Sequence, residues 1–174
     1  NSDTGSLTIE GPGALTAIGG RGSGSGIGGS YDAKGASTII INGGTIKAVG
    51  GNQNSMDFSG IGSIARISGG TGIGSSYGNT NVTINGGNIT AVGDGAPGIG
   101  AVNISGDATG TISITGGAAD ASGTVGIGVA TANDGYGLTA NADISITGGT
   151  VISSGTTIGI GCRTGYASGT ARIL

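Results

Sequence analysis

Ile39-Ile40-Ile41-Asn42-Gly43-Gly44 returns three times along the chain, as Val82-Thr83-Ile84-Asn85-Gly86-Gly87, Ile112-Ser113-Ile114-Thr115-Gly116-Gly117 and Ile144-Ser145-Ile146-Thr147-Gly148-Gly149. Leu7-Thr8-Ile9-Glu10-Gly11 opens the series, with Pro12 in place of the second glycine. Ala65-Arg66-Ile67-Ser68-Gly69-Gly70 is a weaker copy, and Ala171-Arg172-Ile173-Leu174 resembles its first half. The copies start at 7, 39, 65, 82, 112, 144 and 171, so successive starts lie 17 to 32 residues apart. Internal repeats of roughly this length denote a stacked architecture. Their unequal spacing means strands fixed in register and joined by loops of variable length.

Each copy is followed by two further strand-like runs. The first is Thr45-Ile46-Lys47-Ala48-Val49 or Asn88-Ile89-Thr90-Ala91-Val92; the second is Gly-Ile-Gly, centred on Ile27, Ile61, Ile73, Ile99, Ile127 and Ile160. Apolar residues alternate with period 2, so Val82 and Ile84 share one side and Thr83 and Asn85 the other. No window carries a 3.6-residue stripe, and glycine at this density opposes helix. Strand–Asn-Gly–strand is also a hairpin signal. Three strands per unit would, however, alternate in direction through an antiparallel meander, and equivalent copies would not stack. A solenoid coil runs every copy the same way and lets Ile41, Ile84, Ile114 and Ile146 form one internal ladder. The expectation is an all-β parallel β-helix of three strands per coil. It has about six coils, stands roughly 29 Å tall and contains no helix. Unequal coil lengths disfavour the strict left-handed hexapeptide type, so the expected hand is right. Residues 1–174 read as a single domain without capping elements.

Composition narrows the function. Of 174 residues, 44 are Gly, 21 Thr and 19 Ser, yet the mean hydropathy is +0.22 and the apolar residues keep their pattern, so the chain is not a disordered tail. There is no His, no Trp and one Cys (Cys162), which excludes histidine triads, histidine-ligated zinc and an internal disulfide framework. A net charge of −3 with six Lys and Arg argues against nucleic acid as a partner. No apolar stretch approaches the length of a membrane helix. Asp32, Asp57, Asp94, Asp107, Asp120, Asp134 and Asp143 lie mostly in or beside turns, where a side-chain oxygen caps backbone. They form no pair suited to glycoside hydrolysis. No catalytic residue, metal site or cofactor is expected.

The succession Ile-x-Ile-Asn/Thr-Gly-Gly, Ile-x-Ala-x-Gly and Gly-Ile-Gly, from about Leu7 to Gly161, resembles the glycine-rich β-helix repeats of clostridial and related gut-bacterial surface proteins. Those proteins are often labelled as containing carbohydrate-binding domains, and their solenoid is similar to that of polysaccharide lyases. The resemblance implies secretion, cell-surface display and polysaccharide binding. Members of that group bind calcium through clustered acidic residues; here the nine Asp and Glu are scattered.

Three features carry the functional expectations. Neither end offers an amphipathic helix or charged cap, so Leu7 and Ile9 at one end, and Ala171, Arg172, Ile173 and Leu174 at the other, are the expected self-association residues of a head-to-tail homopolymer. Tyr31, Tyr77, Tyr136 and Tyr166 all follow a Gly-Ile-Gly run, so stacking would align them along one edge as flat apolar faces for sugar rings. The glycines flanking each Gly-Ile-Gly isoleucine face outward, leaving a sheet almost without side chains that the chain's own loops or a neighbouring molecule must cover. The leading expectation is a non-enzymatic extracellular structural protein stacking end to end into a surface fibre. The alternative is a carbohydrate-binding or adhesin module using the tyrosine edge.

Overall fold

The computed structural model describes residues 5–21, 23–29, 36–51, 69–103, 106–131, 137–164 and 169–173, the last by backbone only. Successive coils supply β1 (Ser6–Ile9), β2 (Ala14–Ile18) and β3 (Ile27–Gly29), then β4 (Ser37–Ile41), β5 (Thr45–Val49) and β6 (Ile73–Ser75), then β7 (Thr80–Ile84), β8 (Asn88–Val92) and β9 (Ile99–Asn103). The next coils hold β10 (Ala108–Ile114) with β11 (Ala118–Thr131), and β12 (Ala140–Ile146) with β13 (Thr150–Arg163); β14 (Gly169–Ile173) follows. Every pairing is parallel, and no helix occurs among the described residues. The fold is the expected all-β parallel solenoid.

Three faces enclose one core. The first-strand face runs β1-β4-β7-β10-β12-β14, and β2, β5, β8 and the first halves of β11 and β13 form the second. The third is built from β3, β6, β9 and the second halves of β11 and β13. Each inward position stacks on itself. Ile41 pairs with Ile84, Ile84 with Ile114 and Ile114 with Ile146, as expected, while Ile27, Ile73, Ile99, Ile127 and Ile160 make the equivalent column on the third face. Of the twelve largest fully buried side chains all but Val82 are isoleucine. A branched β-carbon suits a pleated strand, and burying each such side chain stabilises by about 1.5–3 kcal/mol.

Two expectations are corrected. The copy starting at 65 adds no coil, because Ile39 pairs directly with Val82. The chain leaves the second coil at Gly51 and rejoins it at Gly70, whose N–H donates to the Gly51 carbonyl at 3.0 Å. Ala65 to Ser68 lie outside the described residues. Six first-face strands therefore bound five turns, and the expected height falls to about 24 Å. The second correction concerns coils four and five, where strands two and three run together as 14-residue β11 and β13. The corner between them is only a Ser-Gly-Thr turn, short enough for the interstrand ladder to pass through with one register shift between Gly123 and Val125.

Glycine sits where the stack leaves no room. At the corner after the first strand, Gly11, Gly44, Gly87, Gly117 and Gly149 take φ of 82–97°, a left-handed conformation that glycine adopts without strain. In the Gly-Ile-Gly column, a Cβ on Gly100 would lie 1.7 Å from the Gly128 carbonyl oxygen of the next coil. Gly74, Gly100, Gly128 and Gly161 are buried within the single chain. This face is thus closed by the molecule itself and needs no neighbour to cover it.

Gly110 has a different cause: a Cβ there would stand 2.6 Å from Val129 Cγ2, and Val129 occupies a core position held by Ala101 and Cys162 in the adjacent coils. The bulk of Val129 is accommodated by the missing side chain opposite. Gly110→Ala is expected to destabilise by about 1–3 kcal/mol through overpacking. Urea denaturation of Gly110→Ala, Val129→Ala and the double variant should show the double variant recovering at least about 0.5 kcal/mol of the summed losses. Strictly additive losses would refute the compensation.

Candidate functional site

Because every coil repeats the same strands, differences between coils concentrate at the corners. The corner joining the first and second strands carries Glu10, Asn42, Asn85, Thr115 and Thr147 in one column. Thr115 Oγ1 donates to Asn85 Oδ1 at 2.8 Å, Asn85 Nδ2 to Asn42 Oδ1 at 2.8 Å, and Asn42 Nδ2 to Glu10 Oε1 at 3.2 Å. The donors all point toward the first coil, so the chain of hydrogen bonds ends on a carboxylate. Glu10, Asn42, Asn85 and Thr115 are thus committed to one another.

At the corner that returns to the first strand, side-chain oxygens extend the backbone ladder. Asn79 Oδ1 accepts from the Thr109 N–H at 2.9 Å, and Asp107 Oδ1 accepts from the Thr139 N–H at 2.7 Å. The bonds from Thr139 hold the Asp107 carboxyl below the usual carboxylate range. Inside this region Ser25, Thr71 and Ser76 form a hydroxyl cluster, with Ser25 Oγ 2.8 Å from Thr71 Oγ1 and 2.7 Å from Ser76 Oγ. Thr71 and Ser76 are buried, and the Thr71 N–H also bonds Ser76 Oγ at 3.0 Å. With no histidine in the chain to act as base, this cluster pins the rejoining strand β6 to the first coil.

The corner between the second and third strands differs from both. Gly93, Asp94 and Gly95, then Ser122, Gly123 and Thr124, then Ser154, Gly155 and Thr156 line an open recess of about 570 Å³ across three coils. Beneath it lies a second apolar cluster of Ala96, Val102, Val125 and Ala130, with Ile158 packed against it. Sequence reasoning missed this site. Its signal was the identical tripeptide Ser-Gly-Thr at 122–124 and 154–156.

The expected self-association residues fall on opposite edges of one sheet. Leu7 and Ile9 lie on β1, and Ala171, Arg172 and Ile173 on β14; Leu174 lies outside the described residues. On the first coil the core-facing Leu7 and Leu15 are 45 % and 39 % exposed, whereas Ile39 and Ile46 one layer in are 1 % and 2 % exposed. Of the expected tyrosine edge, Tyr31, Tyr136 and Tyr166 lie outside the described residues. Tyr77 is half-buried just after β6 and already engaged by neighbours. Cys162 faces the core, where burial raises its thiol pKa. Among the described residues no group of three or more His, Cys, Asp or Glu could hold a metal ion, and no helix is long and apolar enough to cross a membrane.

Residues 7–31, 39–65 and 82–101 match the family model described as beta helix repeat. That match and the stacked coils together support a β-helix repeat protein. No curated protein and no solved structure matches the chain.

Asp107 gives this site region a pH signature. Its carboxyl pKa is lower in the folded than in the unfolded chain, where it is about 3.9. Its contribution is therefore complete above that value and is lost as pH falls through the lowered folded value. Asp107→Asn keeps an acceptor oxygen but cannot titrate. Between pH 5 and pH 2 the melting temperature of the native chain should fall further than that of the variant; parallel curves would show that the Asp107–Thr139 contact carries no charge-dependent stability.

Proposed function

We propose that this chain is a non-enzymatic structural protein, displayed outside the cell, whose β-solenoid extends end to end by seating a second copy of itself against its open first coil. The β-helix repeat fold is consistent with a structural or adhesin-like role. The observation carrying the finer reading is the exposure of Leu7 and Leu15 at positions that are otherwise core. Leu7 stands in the same column as Ile39, Val82, Ile112, Ile144 and Ile173. Setting β14 of one copy beside β1 of the next would continue that column and carry the backbone ladder from one copy into the next. A contact between unlike ends does not close, so it propagates into a filament.

Composition supports the absence of catalysis, since the chain has no histidine, and among the described carboxylates Glu10 and Asp107 accept hydrogen bonds that extend the corner ladders. Extracellular display rests on the resemblance to glycine-rich surface repeats. With a net charge of −3, neither nucleic acid nor an anionic membrane surface is the expected partner.

Negative-stain electron microscopy at rising protein concentration tests this reading. The expected outcome is uniform rods that lengthen with concentration and whose axial repeat is a whole number of layers of about 4.8 Å. Leu7→Asp combined with Leu15→Asp should leave the strand signal in circular dichroism intact and eliminate the rods, as should deletion of 171–174. Tyr77→Ala with Tyr136→Ala should leave them unchanged. Monodisperse short particles at every concentration would overturn the proposal.

A further inference from the structure

Two corners of the stack carry the same tetrapeptide, Ile41-Asn42-Gly43-Gly44 and Ile84-Asn85-Gly86-Gly87, and these hold the chain's two Asn-Gly pairs. An asparagine followed by glycine is labile, because the unhindered glycine nitrogen can attack the side-chain amide carbon. The stack keeps glycine in both places: a Cβ on Gly43 would lie 3.0 Å from Gly11 O, and one on Gly86 2.9 Å from Asn42 O. Asn42 and Asn85 are exposed, and the N–H groups of Gly43 and Gly86 have no acceptor among the described residues.

The two asparagines differ in what faces the amide nitrogen. An ionised Glu10 can only accept, so it fixes the direction of the whole hydrogen-bond chain. Asn42 Nδ2 therefore faces the Glu10 carboxylate at 3.2 Å, while Asn42 Oδ1 accepts from Asn85 Nδ2 at 2.8 Å. Asn85 Oδ1 accepts from Thr115 Oγ1 at 2.8 Å, but Asn85 Nδ2 faces the neutral amide oxygen of Asn42. Both carbonyls are thus polarised by a donor at the separation that stabilises a developing oxyanion. Of the two, Asn42 has in addition a base within hydrogen-bond reach of the group that must leave. Gly43 also stacks on Gly11, the residue next to Glu10.

We propose that Asn42 is a site of spontaneous, Glu10-assisted deamidation in the folded protein, and that Asn85 is shielded from it. The Gly43 nitrogen bonds to Asn42 Cγ as its proton passes to the Glu10 carboxylate, and Asn85 Nδ2 holds the oxyanion on Oδ1. Collapse of that intermediate breaks the Cγ–Nδ2 bond while Glu10 returns the proton, so ammonia leaves and a succinimide ring remains. Water then opens the ring, its hydroxyl adding to one carbonyl carbon and its hydrogen to the ring nitrogen. The product is aspartate or isoaspartate at position 42. Each event adds one negative charge to a chain of net charge −3 and replaces the amide donor by a carboxylate facing Glu10. Like charges on adjacent strands repel, so the reaction loosens the hold of the first coil on the second. The site lies apart from the corner recess, and it does not rest on end-to-end assembly.

The test is to incubate the full chain at neutral pH, digest it and follow both Asn-Gly peptides by mass spectrometry, with isoaspartyl methyltransferase labelling to identify the product. The chain unfolded in urea, where the identical tetrapeptides react alike, supplies the reference. In the folded chain position 42 should react about tenfold or more faster than position 85. Glu10→Gln keeps the shape of the contact but removes the base, and should slow position 42 about tenfold or more while leaving position 85 unchanged. Asn42→Asp should lower the melting temperature, and adding Glu10→Gln should restore most of the loss. Equal folded-state rates at the two positions, a faster rate at 85, or a rate at 42 indifferent to Glu10→Gln would each overturn the site. A melting temperature unchanged by Asn42→Asp would overturn the loosening of the first coil.

Discussion

The backbone ladder that runs along the axis governs this molecule. Each strand pairs in parallel with the equivalent strand of the coils on either side, so every residue is held one layer from its own counterpart. A parallel, in-register stack turns each sequence position into a column, and each column has to tolerate its own kind at about 4.8 Å. Isoleucine tolerates it by packing face on face and burying fully. Asparagine does so by passing amide hydrogen bonds from coil to coil, as Asn85 does to Asn42. Glycine does so by having nothing to collide, which is why it recurs where a Cβ would meet the carbonyl of the next layer.

The same constraint sets how much of the fold was legible beforehand. Ile-x-Ile-Asn/Thr-Gly-Gly encodes two inward side chains, a ladder residue and a left-handed corner. All four requirements are local, so the pattern revealed strand direction, stacking and the isoleucine column. Ala65-Arg66-Ile67-Ser68 shows where the local reading ends. It satisfies the pattern, but membership of the stack is decided by which strands pair, and Ile39 pairs with Val82. The glycine face was ambiguous for a related reason. Outward glycines reveal that something approaches closely, and only the burial of Gly74, Gly100 and Gly128 in the lone chain shows that the chain closes over them itself.

Functional residues were less legible because function in a solenoid depends on what the stack leaves unsatisfied, and a sequence does not display that. Leu7 and Leu15 look like any core residue until their exposure is seen beside the buried Ile39 and Ile46. Ser122, Thr124, Ser154 and Thr156 resemble the hydroxyl-rich turns found all along the chain. What sets them apart is three-dimensional: they line one recess that spans three coils, whereas Thr115 of the neighbouring corner bonds Asn85.

The position of the recess follows from the ladder as well. Along the flat faces successive coils must match residue for residue, so no cavity can open there without breaking hydrogen bonds. The corners are the only places where coils differ in length without loss. Between coils four and five one coil holds an additional residue, and the register shifts between Gly123 and Val125 while pairing resumes at Val125 with Ile158. A bulge of this kind bends its strand and frees its side chains from the ladder. In coil three the same corner is lengthened by Asp94 to Pro97, whose Ala96 is buried in the small apolar cluster. Two adjacent irregularities in an otherwise uniform stack produce a concave surface lined chiefly by glycine, serine and threonine. A repeating scaffold of this kind acquires chemical specificity where its repeat fails.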